Sequence, residues 1–306
     1  MKFIKSIPMA LGGLALSLAA LGNLLLPYGV ALRYLCGALS AGILVVFALK
    51  LLLDSPHARE ELKTPLPLSV LPTATMTLML LSTYIKPYLG VVAVVLWGCA
   101  VIAHLGIMGL FVKRFVIGFK LANVFPSWFV AFVGIVTASV TAPVFDAATI
   151  GQGAFYLGFV LYFVALGLII WRMAKPGLFF PEPAKPTIAI FTAPMSLLTV
   201  GYFSSFPQQN AGVVYAMLAL ALASYLYVSV MMATKLLRLG FYPTYAAFTF
   251  PYVISATAFR AGAAFLTERG VDFFTPIAQI SQWIAVAVVV YVLVRYLFYF
   301  RWWLKF

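Results

Sequence analysis

The segment FYPTYAAFTFPYVISATAFRAGAAFL (residues 241–266) is apolar over a length that could cross a lipid bilayer, for which an α-helix needs about 20 residues. Pro243 stands near its start, and Pro251 stands in its middle, directly after Phe250. A proline inside a helix removes a backbone donor and clashes with the preceding turn, so we expect a bend there. A membrane tolerates such a break only where protein or a water-filled cavity satisfies the freed carbonyls. The segment therefore predicts a broken helix beside a pore, with Phe250 as its plug.

The composition of the whole chain indicates a polytopic membrane protein. Of its 306 residues, 64% are hydrophobic and 9% are charged, whereas a soluble domain of this size covers its surface with charged side chains. The net charge of +13 comes from short loops between apolar runs, so membrane lipid is the expected environment and nucleic acid is not an expected partner. Cys36 and Cys99 both fall within apolar runs. We therefore predict no disulfide framework, no metal site and no cofactor.

Ten apolar runs can be marked along the chain, each a candidate transmembrane helix. They cover residues 7–26, 29–53, 67–85, 88–112, 126–145, 151–173, 186–206, 211–234, 241–266 and 276–300. An even number of spans places both termini on one side of the membrane. That side carries 16 of the 20 Lys and Arg residues, including Lys2 and Lys305, and the opposite side carries Arg33, Lys86, Arg260 and Arg269. The positive-inside rule thus predicts cytoplasmic termini, in the plasma membrane or the inner membrane of a bacterium.

Prolines at the starts of the odd-numbered runs reveal a repeat. Pro8, Pro67, Pro126, Pro186 and Pro243 follow one another at spacings of 59, 59, 60 and 57 residues. A near-constant period of this kind indicates a repeated supersecondary unit, and each unit would be a hairpin of one odd and one even helix. We predict a single transmembrane domain over residues 1–306, with hairpins at about 1–60, 61–119, 120–179, 180–238 and 239–306.

A second set of prolines distinguishes the two helices of each hairpin. Pro72, Pro143, Pro194 and Pro251 lie within or near the ends of odd runs, and the bodies of the even runs contain none. Because broken helices must be shielded from lipid, we predict an all-α fold with an inner ring of five kinked odd helices around a central pore. The five even helices would form an outer ring. The alternative is that transmembrane helices simply contain more proline than soluble ones.

Hydroxyl residues recur on the odd runs at helical spacing. The residues predicted to line the pore are Thr73, Thr77, Thr137, Thr141, Thr192, Ser196, Thr199 and Thr257. Neutral donors of this kind can replace part of an anion's hydration without trapping it. The alternative is that each hydroxyl bonds to a carbonyl of its own helix or joins two helices.

Charged and nucleophilic groups are scarce in the predicted membrane region. Arg260 lies well within the ninth run, so we predict that it attracts anions at an outer vestibule; it could instead pair with Glu268 or extend to the interface. His104 has no acidic partner nearby in sequence and is interpreted as a packing residue. No nucleophile–base pair is found within a span, so we predict no catalytic residue and no enzyme.

Several of these segments together resemble the tellurite-resistance/dicarboxylate transporter family, which includes the bacterial TehA-type proteins, fungal malate permeases and sulfite pumps, and the plant slow anion channels. They are IPMALGGLALSLAALGNLL (7–25), LPTATMTL (71–78), TAPMSLLTVGY (192–202) and above all AAFTFPYV (246–253). The resemblance implies a homotrimer in which each protomer has its own pore, occluded by a ninth-helix phenylalanine that matches Phe250.

Two transport mechanisms remain open at this stage. All seven Asp and Glu residues fall in loops or at the ends of runs, whereas a proton-coupled carrier commonly buries a carboxylate in the membrane. We therefore favour a channel or passive exporter of small inorganic or dicarboxylate anions, gated by Phe250. The alternative is a C4-dicarboxylate or malate carrier, or a sulfite or tellurite exporter, that works by proton-coupled alternating access. A tyrosine or the substrate itself could then carry the proton.

Overall fold

The computed structural model describes residues 2–303, with side chains for residues 4–301, and the described chain is helical without a β-strand. The predicted all-α membrane fold is confirmed. The side chain of Lys2 and the whole of Lys305, which contributed to the topology prediction, lie outside the described part. The α-helices are α1 Lys2–Lys5, α2 Leu11–Leu25, α3 Val30–Leu53, α4 Ser55–Glu61, α5 Pro65–Val70, α6 Pro72–Phe111, α7 Trp128–Val133, α8 Val136–Thr141, α9 Ala148–Ala174, α10 Ala193–Ser205, α11 Ala211–Thr234, α12 Thr249–Thr267 and α13 Thr275–Trp303.

Short 3₁₀-helical and π-helical segments extend or join several of these α-helices. One π-helical segment, Val112–Val116, follows α6. The 3₁₀ segments are Leu26–Tyr28, Leu121–Asn123, Ala142–Phe145, Glu182–Thr192, Leu236–Arg238 and Pro243–Phe248.

Seven helical stretches within residues 2–303 are long and apolar enough to cross a membrane. One of them, Pro65–Val116, contains two of the predicted spans. The backbone leaves the helical conformation inside it at Gly90, where φ is 37° and ψ is −103°. The predicted fifth span is divided among short helices, and the ninth is α12 preceded by a 3₁₀ segment. The number of ten spans therefore stays a prediction.

The interrupted segments form the predicted inner ring. Helix α2 packs against α6 and α12, and α8 and α10 complete the circle, since α6 packs on α8, α8 on α10 and α10 on α12. Burial separates this ring from the helices around it. Within the most apolar 18 residues of each stretch, 72% of the residues are buried for Leu11–Tyr28 and 78% for Glu182–Ser205. The unbroken helices α3, α9, α11 and α13 lie outside the ring, and the same share is only 28–39% for the stretches that correspond to them.

Each outer helix packs against two neighbouring inner ones. Helix α3 contacts α2 and α6, α9 contacts α8 and α10, α11 contacts α10 and α12, and α13 contacts α12 and α2. An apolar outer surface with a buried inner layer is the arrangement expected when lipid surrounds the protein.

The four prolines predicted to kink helices lie near the starts of helical segments, where one segment follows another. Pro72 begins α6 directly after α5, and Pro143 lies in the 3₁₀ segment Ala142–Phe145. Pro194 and Pro251 fall in the first turns of α10 and α12, each after a 3₁₀ segment. A proline lacks the donor for a bond to the carbonyl four residues earlier, but the first turn of a helix needs no such donor. The chain therefore begins a new helical segment at or near each of these prolines, and their role as kinks stays a prediction.

Small residues allow the helices to approach closely. Gly12 lies against the Thr73 side chain, and Gly13 lies against Ala246, so consecutive glycines fit α2 between two neighbours of the ring. Gly158 of α9 lies against Val136 of α8. Close approach through small residues is typical of helix packing in membranes, where lipid provides no hydrophobic drive for association.

We predict that Gly158→Ala destabilises the protein. The added Cβ would collide with Val136 Cγ2, and overpacking of this kind costs about 1–3 kcal/mol. The matched control is Gly153→Ala on the same helix, where an added Cβ meets no atom within 4 Å. Thermal unfolding of the detergent-solubilised variants should give a lower midpoint for Gly158→Ala than for Gly153→Ala. Equal midpoints would contradict the close packing of α9 on α8.

Candidate functional site

A cavity lies within the inner ring, between the N-terminal parts of its five members. The space that the centre of a water molecule can occupy in it is about 60 Å³, which is enough for a few waters, since one needs about 10–15 Å³. Its wall is formed by Ala10, Gly13, Leu16, Val70, Thr73, Met76, Phe129, Val130, Val133, Gly134, Thr187, Ile190, Ala193, Pro194, Leu197, Thr244, Ala246, Ala247, Phe250 and Pro251.

The wall of this cavity is apolar and carries no ionisable side chain among these residues. Three threonines belong to it, but each hydroxyl donates to a backbone carbonyl. Thr73 Oγ1 donates to Val70 O at 2.7 Å, and Thr187 Oγ1 donates to Ala184 O at 2.6 Å. Thr244 Oγ1 donates to Pro183 O. The cavity thus offers an ion neither a fixed charge nor a hydroxyl proton that is free of another acceptor.

Phe250 lines this cavity from the second position of α12, and its side chain is 7% exposed. The neighbouring aromatic residues on the same segment pack away from the cavity, since Phe248 contacts Tyr245 at 4.7 Å between ring centroids and Tyr252 contacts Tyr225 at 5.1 Å. No comparable ring contact to Phe250 is found within the described side chains. Its ring is therefore not fixed by stacking on another described aromatic side chain.

The other predicted pore-lining hydroxyls lie outside the cavity wall, where most form bonds within their own helix. Thr77, Thr141, Thr199 and Thr257 each donate to the carbonyl four residues earlier, at 2.7–2.9 Å. The Thr137 hydroxyl is buried, and no partner for it is found among the described residues. Thr73 is thus the member of the predicted set that borders this cavity, and a role of the others further along the passage stays a prediction.

Thr192 and Ser196 join Ser255 in a buried hydroxyl cluster between α10 and α12. Thr192 Oγ1 lies 2.9 Å from Ser255 Oγ and 3.1 Å from Pro251 O. Ser196 Oγ lies 2.9 Å from Ser255 Oγ and also contacts Thr192 O at 2.8 Å. The cluster joins the two proline-containing helix starts next to Phe250. Ser255 was not predicted, because it lies off the helix face that Phe250 shares with Thr257 seven residues later, and its partners precede or belong to another helix.

Similar hydroxyl pairs connect other neighbours of the ring. Ser69 and Ser127 lie 2.6 Å apart between α5 and the start of α7. Ser139 and Ser205 lie 2.7 Å apart between α8 and α10. In these pairs the hydroxyls join helices, as the alternative interpretation of the pattern expected.

Arg260 lies apart from the cavity, near the other end of α12. Its Nη1 donates to Leu24 O at the C-terminal end of α2, where the helix carbonyls favour a cation. Glu268, the alternative partner considered for it, lies 3.9 Å from Arg269 instead. An anion-attracting role for Arg260 stays a prediction.

His104 and the cysteines form no metal site. No group of three or more His, Cys, Asp or Glu side chains that could hold a metal is found among the described residues. Cys36 is buried and Cys99 is exposed, and both are free thiols. His104 contacts Thr75 within the protein interior.

The comparison with protein families identifies the chain. Residues 4–297 match the family model described as voltage-dependent anion channel. The match covers nearly the whole chain, which therefore belongs to this family of anion-transporting membrane proteins and is similar to the group that the sequence motifs indicated. The family consists of channels and transporters rather than enzymes. No curated protein matches the sequence.

We predict that Ser255→Ala weakens the contact between α10 and α12. It removes the hydroxyl that Thr192 and Ser196 share, and a lost hydrogen bond in a buried site costs about 0.5–1.5 kcal/mol. Thr257→Val is the control, because Thr257 bonds to Val253 O of its own helix. The thermal midpoint should fall for Ser255→Ala and change by less for Thr257→Val. A larger fall for the control would contradict the structural role of the cluster.

Proposed function

We propose that this member of the voltage-dependent anion channel family conducts small anions through the centre of the inner ring, and that Phe250 is its gate. The observation that supports the proposal is the position of the Phe250 ring in the wall of the apolar cavity, beside the start of α12. Anion transport itself follows from the family. The gate and the channel mechanism are our inference.

The barrier to an anion would arise from the bulk of the Phe250 ring together with the apolar wall of the cavity. An anion that enters the cavity loses hydration and meets no cation or free hydroxyl in the wall, and burial of an unpaired charge is costly. Hydrophobic constrictions can close a pore by excluding water. Removal of the Phe250 ring would widen the constriction and allow water to enter it. The same neutral wall would allow fast passage once the gate is open, since no charged group holds the ion.

The gate can move because the backbone around it is not a continuous α-helix. The segment Pro243–Phe248 is a 3₁₀ helix, and Pro251 cannot donate to the carbonyl of Ala247. A small rotation of α12 relative to the 3₁₀ segment would swing Phe250 without breaking a regular ladder of hydrogen bonds. The cluster of Thr192, Ser196 and Ser255 would hold the closed position.

The proposal includes an orientation and an assembly. We propose that the cavity opens toward the cytoplasm, because the N-terminal parts of the odd segments line it and the basic loops lie on the side of the termini. The protein would reside in the plasma membrane, or in the inner membrane of a bacterium, as a single transmembrane domain of five hairpins. The family resemblance supports a homotrimer in which each protomer conducts separately.

A carrier for malate or another C4-dicarboxylate, or for sulfite or tellurite, is the second mechanism within the same family. Single-channel recording distinguishes the two. Discrete currents that grow linearly with voltage support the channel, whereas saturable uptake with proton dependence and counter-transport supports the carrier.

We predict that anion flux increases as the side chain at position 250 becomes smaller. In liposomes that contain chloride or nitrate, Phe250→Ala should conduct at least about tenfold faster than the natural chain, which corresponds to a barrier lower by about 1.4 kcal/mol. Phe250→Leu should be intermediate, and Phe250→Trp should remain closed.

The control is Phe248→Leu, which alters a buried aromatic residue two positions away that packs on Tyr245 instead of the cavity. It should leave the flux near that of the natural chain. The gate would be refuted if Phe250→Ala, folded and reconstituted to the same density, conducts no faster than the natural chain.

A further inference from the structure

His104 is a buried titratable group that the proposed permeation does not use. It lies in α6 beyond the break at Gly90, and its side chain is 0% exposed. Its Nδ1 lies 2.9 Å from Thr75 Oγ1, and its Nε2 has no hydrogen-bond partner within the described chain. A buried polar atom without a partner is uncommon, because its desolvation is uncompensated.

The hydrogen bonds of Thr75 assign the proton on the imidazole. Thr75 Oγ1 lies 2.8 Å from Pro72 O, and a carbonyl can only accept, so the single hydroxyl proton is donated there. Thr75 must then accept from Nδ1–H of His104. The neutral ring therefore carries its lone pair on Nε2, which is the unpartnered atom.

The imidazole lies directly behind the cavity wall. Gly134 and Met76 both line the cavity. A Cβ added at Gly134 would lie 2.9 Å from His104 Cε1 and 2.8 Å from Met76 Sδ, so the ring and the thioether meet at this glycine. Cε1 lies between the two ring nitrogens, so the basic Nε2 is one covalent bond away from the ring atom that faces Gly134.

No ion pair that involves His104 is found among the described residues. Its described neighbours are Thr75, to which it is hydrogen-bonded, and Gly134, and neither is ionisable. A cation formed here would lack a counter-ion in the described protein, and an anion in the adjacent cavity would supply one.

We propose that His104 is a proton-binding site coupled to the anion in the cavity, so that a proton on Nε2 and an anion beside Phe250 stabilise each other. Nε2 takes the proton from a hydronium ion that enters the cavity, which leaves water, and returns it to water when the anion leaves; no other group changes its covalent state. Since coupling is reciprocal, acid should increase anion occupancy, and the anion should favour protonation. This inference rests on the proposed passage but not on Phe250 as its gate.

Proton binding can be measured directly because the chain has two histidines. The variant His57→Gln changes an exposed residue of α4 and leaves His104 as the sole imidazole. In this protein, labelled with ¹⁵N-histidine, the pH titration is recorded by NMR in nitrate and in bulky gluconate. We expect the midpoint to lie about 0.7 to 2 pH units higher in nitrate, which is the shift for a 5- to 150-fold coupling. An imidazole that titrates identically in both salts, or stays neutral in both, overturns the proposal.

Flux provides the second readout. In the Phe250→Ala background, acid should raise nitrate flux several-fold for the chain with His104, and His104→Gln, whose amide can still donate to Thr75, should abolish the rise. His57→Gln should keep it. If His104→Gln retains the full acid response, the proposal fails although the gate can stand. If Phe250→Ala conducts no better than the natural chain but the NMR midpoint depends on nitrate, the gate fails and the proton site stands.

Discussion

The fold depends on one constraint: every polar group of the backbone must have a partner where lipid offers none. Proline breaks and 3₁₀ segments leave some of these groups outside the regular α-helical ladder. They are concentrated in the inner ring, at segments such as Glu182–Thr192 and Pro243–Phe248, where protein surrounds them. The outer helices α3, α9, α11 and α13 are continuous and can face acyl chains. The same constraint therefore separates a shielding layer from an irregular layer that can enclose a passage.

This separation could be predicted from the sequence because it depends on proline positions, which are local. The hydroxyl pattern was less informative. Helical spacing places Thr192, Ser196 and Thr199 on one face of a helix. The rotation of that helix about its own axis decides whether this face points to the centre of the ring or to a neighbouring helix. Thr192 and Ser196 contact Ser255 of α12, and Thr199 bonds within its helix. Rotation is fixed by contacts between distant residues, such as Gly13 with Ala246, and a single sequence does not contain them.

The proposed gate and the hydroxyl cluster are parts of one local arrangement. Thr192 donates to the carbonyl of Pro251, the residue that follows Phe250. On the side that faces the cavity, the start of α12 presents apolar groups. On the other side, hydrogen bonds of the hydroxyl cluster connect it to the neighbouring inner helix. Such an arrangement fixes the ring at rest through a few weak bonds rather than through a charged pair. It suits a passage for ions, because conduction requires sites that bind the ion weakly enough for it to leave.

Thiol accessibility tests the central claim most directly. The claim is that the broken helices surround a path that fills with water when the Phe250 ring is removed, and that the unbroken helices face lipid. With Cys36 and Cys99 replaced by alanine, single cysteines would be introduced at Thr73 and Ile190 in the cavity wall and at Val160 on the exposed face of α9. In the Phe250→Ala background, a charged methanethiosulfonate reagent should modify the two wall positions and block anion flux, while Val160→Cys in membranes should remain unmodified. Modification of Val160→Cys with both wall positions unreactive would contradict the account.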